Sequence, residues 1–80
     1  MQLRTNKIRN LDLRGVRCPM TFVKTRLALD SMAPGDRLEI LVNEEEPRLR
    51  LPLTIVELGH TLVEQVTDDH AVMRILVEHC

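Results

Sequence analysis

Glycine and proline constrain this chain more than any other feature. Gly15, Pro19, the Pro34-Gly35 pair, Pro47, Pro52 and Gly59 break it into segments that suit only short strands and short helices. Ile8, Leu11 and Leu13 stand among polar residues ahead of Gly15, which predicts a strand. The run CPMTFVKTRLALDSM predicts a helix. Pro19 suits its first position, where a missing N–H costs nothing, and Phe22, Leu29 and Met32 recur at helical spacing, with Val23 and Leu27 widening the apolar face. APGD closes that helix with a turn. Leu38, Ile40 and Val42 alternate in RLEILVN, a second strand. Pro47 and Pro52 argue against a continuous helix through EEEPRLRLPLTIVELGH. Pro52 opens a short helix to Leu58, with Gly59 as its stop. TLVEQVT reads as a third strand, DDH as a tight turn and AVMRILVEH as a fourth strand, so the last two form a hairpin.

The order is β-α-β-α-β-β. In 80 residues there is room for one small core, so residues 1–80 are read as a single domain. The expected class is α+β: a two-layer α/β sandwich with a four-stranded mixed sheet and both helices on one face. A right-handed crossover through the first helix sets the first two strands parallel. Glu39, Glu64 and Arg74 fall at positions suited to the less covered sheet face.

Composition excludes several functions. The net charge is −1 and Phe22 is the only aromatic residue, which argues against base stacking and against a phosphate-binding surface. No apolar run is long enough to span a membrane, and no apolar segment follows the N-terminal bases as in a secretory signal. Two cysteines, Cys18 and Cys80, make no disulfide framework, and a reduced, cytoplasmic monomer that binds neither nucleic acid nor membrane is expected. Charge is unevenly spread. Arg4, Lys7, Arg9, Arg14, Arg17, Lys24 and Arg26 all lie in the first third, read either as an ordinary solvated surface or as a docking patch for acidic partners that hand a group to Cys18, while acids dominate the remainder.

Cys18 lies between the first strand and the first helix. With Pro19 as the first helical residue, Cys18 is the expected N-cap, its sulfur facing the N–H groups of Met20 and Thr21. The helix dipole, with Arg14 and Arg17 nearby in sequence, then favours the thiolate, which is the nucleophile. The bland alternative is a cysteine acting as a small apolar residue. His60, His70 and His79 show no spacing that marks a base, which points away from hydrolysis and toward thiol exchange or sulfur carriage. No metal-ligand spacing and no cofactor motif is found. Glu44, Glu45 and Glu46 read as a solvated loop that places acids ahead of a helix.

Taken together, LDLRGVRCPMTFVKTRLAL, PGDRLEILVNEEE and LPLTIVELGHTLVE resemble the TusA/SirA-like family of small sulfur-carrier proteins, from about Asn10 to Val77. The most specific parts are the Leu-Asp-x-x-Gly-x-x-Cys-Pro lead-in at Leu11 to Pro19 and the Gly-His at Gly59 and His60. The resemblance implies the same β-α-β-α-β-β sandwich and a sulfurtransferase role in which Cys18 accepts a sulfane sulfur as a persulfide. It implies donor proteins of the cysteine desulfurase or rhodanese-like kind, and acceptors that are DsrE-type relay proteins or biosynthetic enzymes. Pro19, Met20, Thr21, Arg14 and Arg17 are the expected supporting residues. The family pattern is Cys-Pro-x-Pro, and Thr21 stands here at the second proline, which restores a backbone donor to the first turn. Two other readings compete: a regulatory interaction domain in which Cys18 is incidental, and a thiol redox protein in which Cys18 pairs with Cys80 or with another chain.

Overall fold

A computed structural model describes residues 7–80; Arg4, counted above in the basic cluster, lies outside them. The elements are β1 (Ile8–Asp12), α1 (Met20–Asp30), β2 (Arg37–Val42), α2 (Glu45–Glu57), β3 (Thr61–Thr67) and β4 (Met73–Glu78). They build one four-stranded sheet in the order β1-β2-β4-β3. β1 runs parallel to β2 with Leu11 opposite Ile40, and β4 lies antiparallel to both β2 and β3. The expected mixed sheet and two-helix layer are present.

β2 and β4 are the central strands, and in each of them buried and half-buried residues alternate. That is the period of a strand with one covered face. Leu38, Ile40 and Val42 of β2, with Met73, Ile75 and Val77 of β4, point under the helices and meet Ala28 and Leu29 of α1 and Leu51 and Ile55 of α2. The other sheet face carries the charges foreseen for it. Arg74 lies between Glu39, at 3.5 Å, and Glu64, and Arg37 pairs with Glu78 at 3.2 Å. Exposed pairs of this kind add little stability, on the order of 0–1 kcal/mol each. They keep the open face polar.

Both helices depart from the sequence reading. α1 begins at Met20 with Pro19 as its N-cap, so Cys18 lies outside the helix and is not the cap. The Met20 N–H donates to the Arg17 carbonyl at 2.9 Å, a turn that takes up one of the donors expected to face the sulfur. The buried stripe of α1 is Thr21, Thr25, Ala28 and Leu29. Phe22 and Met32 pack only partly against the core, while Val23 and Leu27 are 43% and 63% exposed. Apart from Leu29, the side chains facing the sheet are small and let the helix approach it.

α2 is the larger correction. It runs unbroken for 13 residues and includes both prolines. Pro47 falls in the first turn, where an N–H has no intrahelical acceptor. Pro52 removes the bond to the Arg48 carbonyl, and burial of Leu51, Pro52 and Ile55 against the sheet offsets that loss. Glu44 is the N-cap, and Glu45 and Glu46 form the acidic first turn, so the glutamate run belongs to the helix rather than to a loop. In the β3–β4 hairpin the connection extends beyond DDH to Val72. Asp68 Oδ1 accepts N–H bonds from His70 and Val72 at 2.7 and 3.0 Å, and Ala71 takes a φ of 61°.

Candidate functional site

β1 and β2 run toward the same end of the sheet, and both helices start there. Cys18 lies at this end, exposed, in the connection from β1 to α1, and the Cys18–Pro19 peptide is cis. An open cavity is lined by Arg17, Cys18, Glu44, Glu45, Glu46 and Pro47. The thiol therefore faces a basic residue of its own loop and the acidic first turn of α2. The sequence pointed to Cys18 and Arg17 but left out the glutamates. Their part in this wall depends on α2 beginning at Glu45 rather than at Pro52.

The other supporting residues divide. Arg14 is held by Asp12, with guanidinium contacts of 2.7 and 2.9 Å and a backbone N–H contact of 3.1 Å. These Arg14 hydrogen bonds, from its side chain first and then its backbone, hold the Asp12 carboxyl at a pKa of about 2, and the carboxylate raises that of Arg14. The pair stiffens the strand end, and Arg14's charge is compensated there rather than directed at Cys18. Met20 is 46% exposed beside the thiol loop. Thr21 is fully buried, and its Oγ1 has no hydrogen-bond partner among the described residues.

His60 and His79 lie at the opposite end. Their rings are 4.5 Å apart, and His60 Nδ1 accepts the Cys80 N–H at 3.2 Å. Burial, followed by the neighbouring His79, lowers the pKa of His60. His70 is in the exposed β3–β4 connection and does not line the Cys18 cavity. No group of three or more His, Cys, Asp or Glu side chains able to hold a metal occurs among the described residues.

Cys80 is tied to the start of β3, with its sulfur 3.3 Å from Thr61 Oγ1. The cavity at Cys18 includes the start of α2, whereas His60 and Cys80 lie just past its other end. A helix of that length spans about 20 Å, and a disulfide needs Cα atoms within about 7 Å. The two thiols are both free, and the internal Cys18–Cys80 redox pair is overturned by this separation.

The site is a free, exposed cysteine at a strand–helix junction of a small two-layer α+β fold. The family model for the sulfurtransferase TusA matches residues 9–79, and the chain belongs to that family of sulfur carriers. A putative sulfur carrier protein of Thermotoga maritima is 39% identical over 56 residues, which is 70% of this chain and 71% of that one. The sulfur carrier protein TusA of Pseudomonas aeruginosa is 34% identical over 55 residues, 69% of this chain and 70% of its own. Among solved structures, a SirA-like protein from Desulfitobacterium hafniense superposes with a TM-score of 0.74 over 89% of this chain and 95% of its own. At 22% identity that likeness supports the fold alone.

Proposed function

We propose that Cys18 is the sulfur-accepting residue and that it carries sulfur as a persulfide between two proteins. The observation that carries this is the exposure of Cys18 in an open cavity with no histidine lining it. A thiolate needs no base to take sulfur from a persulfide. Its sulfur attacks the outer sulfur of the donor persulfide, an S–S bond forms on Cys18, the donor's S–S bond breaks, and the donor leaves as a thiolate. The same exchange in reverse sense passes the sulfur to an acceptor thiolate. No net oxidation occurs.

Pro19 and Met20 start the helix that follows the thiol, and Arg17 and the glutamates shape the surface a partner meets. Donors of the cysteine desulfurase or rhodanese-like kind and acceptors of the DsrE-type relay or biosynthetic kind fit this role. A cytoplasmic setting fits a carrier that needs free thiols, and no helix among the described residues is long and apolar enough to cross a membrane.

The test is the intact mass after incubation with a cysteine desulfurase and cysteine, or a rhodanese and thiosulfate. One sulfur is gained, reductant removes it, Cys80→Ser keeps it and Cys18→Ala loses it. A protein that gains no sulfur from either donor, or gains it equally in Cys18→Ala, would return the interaction-domain reading to first place.

A further inference from the structure

The chain from Leu13 to Pro19 joins β1 to α1 and carries Cys18. Leu13 N–H donates to the Leu41 carbonyl at 2.8 Å and prolongs the parallel ladder by one step. Two further bonds are local turns, Val16 N–H to the Leu13 carbonyl at 3.1 Å and Met20 N–H to the Arg17 carbonyl at 2.9 Å. Such turns shape the segment without fixing it to the rest of the fold. Arg14 bonds back to Asp12 and Val16 packs against the core, and the hydrogen bond that reaches across to the segment before α2 is Gly15 N–H to Asn43 Oδ1 at 2.8 Å.

Each partner is suited to this contact. Gly15 is third in the turn from Leu13 to Val16 and has a φ of 78°, as a type II turn requires at that place. Asn43 directly follows β2 and precedes Glu44, the N-cap of α2. One wall of the cavity is Arg17 and Cys18, the other Glu44 through Pro47. The amide of Asn43 thus ties the loop of the first wall to the root of the second. It does so with an uncharged acceptor, next to three glutamates.

We infer that Asn43 is a positioning residue for sulfur transfer, fixing where Cys18 stands relative to the N-terminus of α2. The inference rests on Cys18 being the sulfur acceptor. A local hydrogen bond of this kind controls loop placement by a factor of about five in population, and a misplaced thiol reacts correspondingly more slowly.

The experiment compares wild type, Asn43→Ala and Asn43→Asp in about 0.5 M salt, which screens the charge that aspartate adds. Three quantities are read: hydrogen exchange at the Gly15 amide, the rate at which Cys18 takes sulfur from glutathione persulfide, and the urea midpoint. In that uptake the Cys18 thiolate captures the outer sulfur with its proton, and glutathione leaves as the thiolate. Asn43→Ala is expected to speed Gly15 exchange and slow uptake, the two factors multiplying to about five, while the urea midpoint falls by no more than the loss of one hydrogen bond, about 1 kcal/mol, implies. Asn43→Asp keeps an acceptor oxygen and is expected to restore both. Unchanged uptake in Asn43→Ala, no rescue by Asn43→Asp, or a loss that comes with a larger fall in the urea midpoint would each overturn the positioning role. Absence of uptake at Cys18 in the wild type would instead overturn the carrier reading itself, and this inference with it.

Discussion

Thr21 and Thr25 lie one turn apart on the buried side of α1, and their hydroxyls fare differently. Thr25 Oγ1 donates to the Thr21 carbonyl at 2.8 Å, whereas Thr21 Oγ1 has no partner among the described residues. A buried hydroxyl without a bond costs on the order of 1–3 kcal/mol, while deleting a hydroxyl together with its bond is nearly neutral. Thr21→Val is therefore expected to stabilise the protein by about 1 kcal/mol, and Thr25→Val to change it by less than about 0.5 kcal/mol. Urea denaturation of the two variants checks the contrast, and a destabilised Thr21→Val would mean that the hydroxyl has a partner after all. Sequence alone marks Thr21 as a departure from the Cys-Pro-x-Pro pattern of the family it resembles. It does not reveal that the side chain turns inward, because threonine is a polar residue at a helix start and is ordinarily read as facing water. The β1–α1 junction that carries Cys18 is legible from Gly15 and Pro19, but the expected place of Cys18 as N-cap is not what the structure shows, since Pro19 takes that position.

At the level of elements, the two central strands were legible because alternation in a half-covered sheet leaves little freedom, and β1 and β3 because turn residues bound them. α2 was not, because proline counts against a helix locally while tertiary burial pulls the other way. That one misreading also hid the second wall of the site: with the helix opened at Pro52, Glu44 to Glu46 became a loop with no relation to Cys18. The conflict at Pro52 has a measurable size. Its ring leaves the Arg48 carbonyl without an intrahelical donor, at a cost of about 3 kcal/mol, part of which is offset by packing the ring in the core. Pro52→Ala is expected to stabilise the protein by about 1 kcal/mol and to strengthen the helical circular dichroism. A loss of stability would show that the ring's packing outweighs the missing bond. Where α2 passes into β3, His60 makes a second prediction. Its folded pKa is lowered, so its contribution is fully present above the unfolded value of about 6.5 and is lost as pH falls from there through the folded value. His79 opposes its protonation and Asp30 favours it, and a proton on Nδ1 breaks the bond from the Cys80 N–H. The urea midpoint is expected to fall between about pH 7.5 and pH 5, less steeply in His60→Gln. Equal slopes would remove His60 as the cause.

On the scale of the whole molecule, the topology sends both helices in the same direction, so their N-termini share one end of the sheet and their C-termini the other. Cys18 stands at the first end, beside the start of α2; Cys80 stands at the second, against His60 and Thr61. A protein built this way has two thiols that cannot react with each other without unfolding, and this bears on a carrier more than on most proteins. A persulfide on Cys18 is open to attack by any thiolate within reach, and attack by an internal one would discharge the sulfur before an acceptor arrives. Separation by the length of α2 removes that route. Oxidation of the dilute folded protein with diamide is therefore expected to give no internal disulfide, only dimers linked through Cys18 or Cys80, and dimer formation is expected to rise with protein concentration. Once loaded with sulfur, wild type and Cys80→Ser are expected to lose it at the same rate in the absence of an acceptor. Non-reducing mass spectrometry reads both experiments. An internal Cys18–Cys80 bond formed below the unfolding transition, or a markedly longer-lived persulfide in Cys80→Ser, would show that the two ends meet and would restore the redox pair as a rival to the carrier.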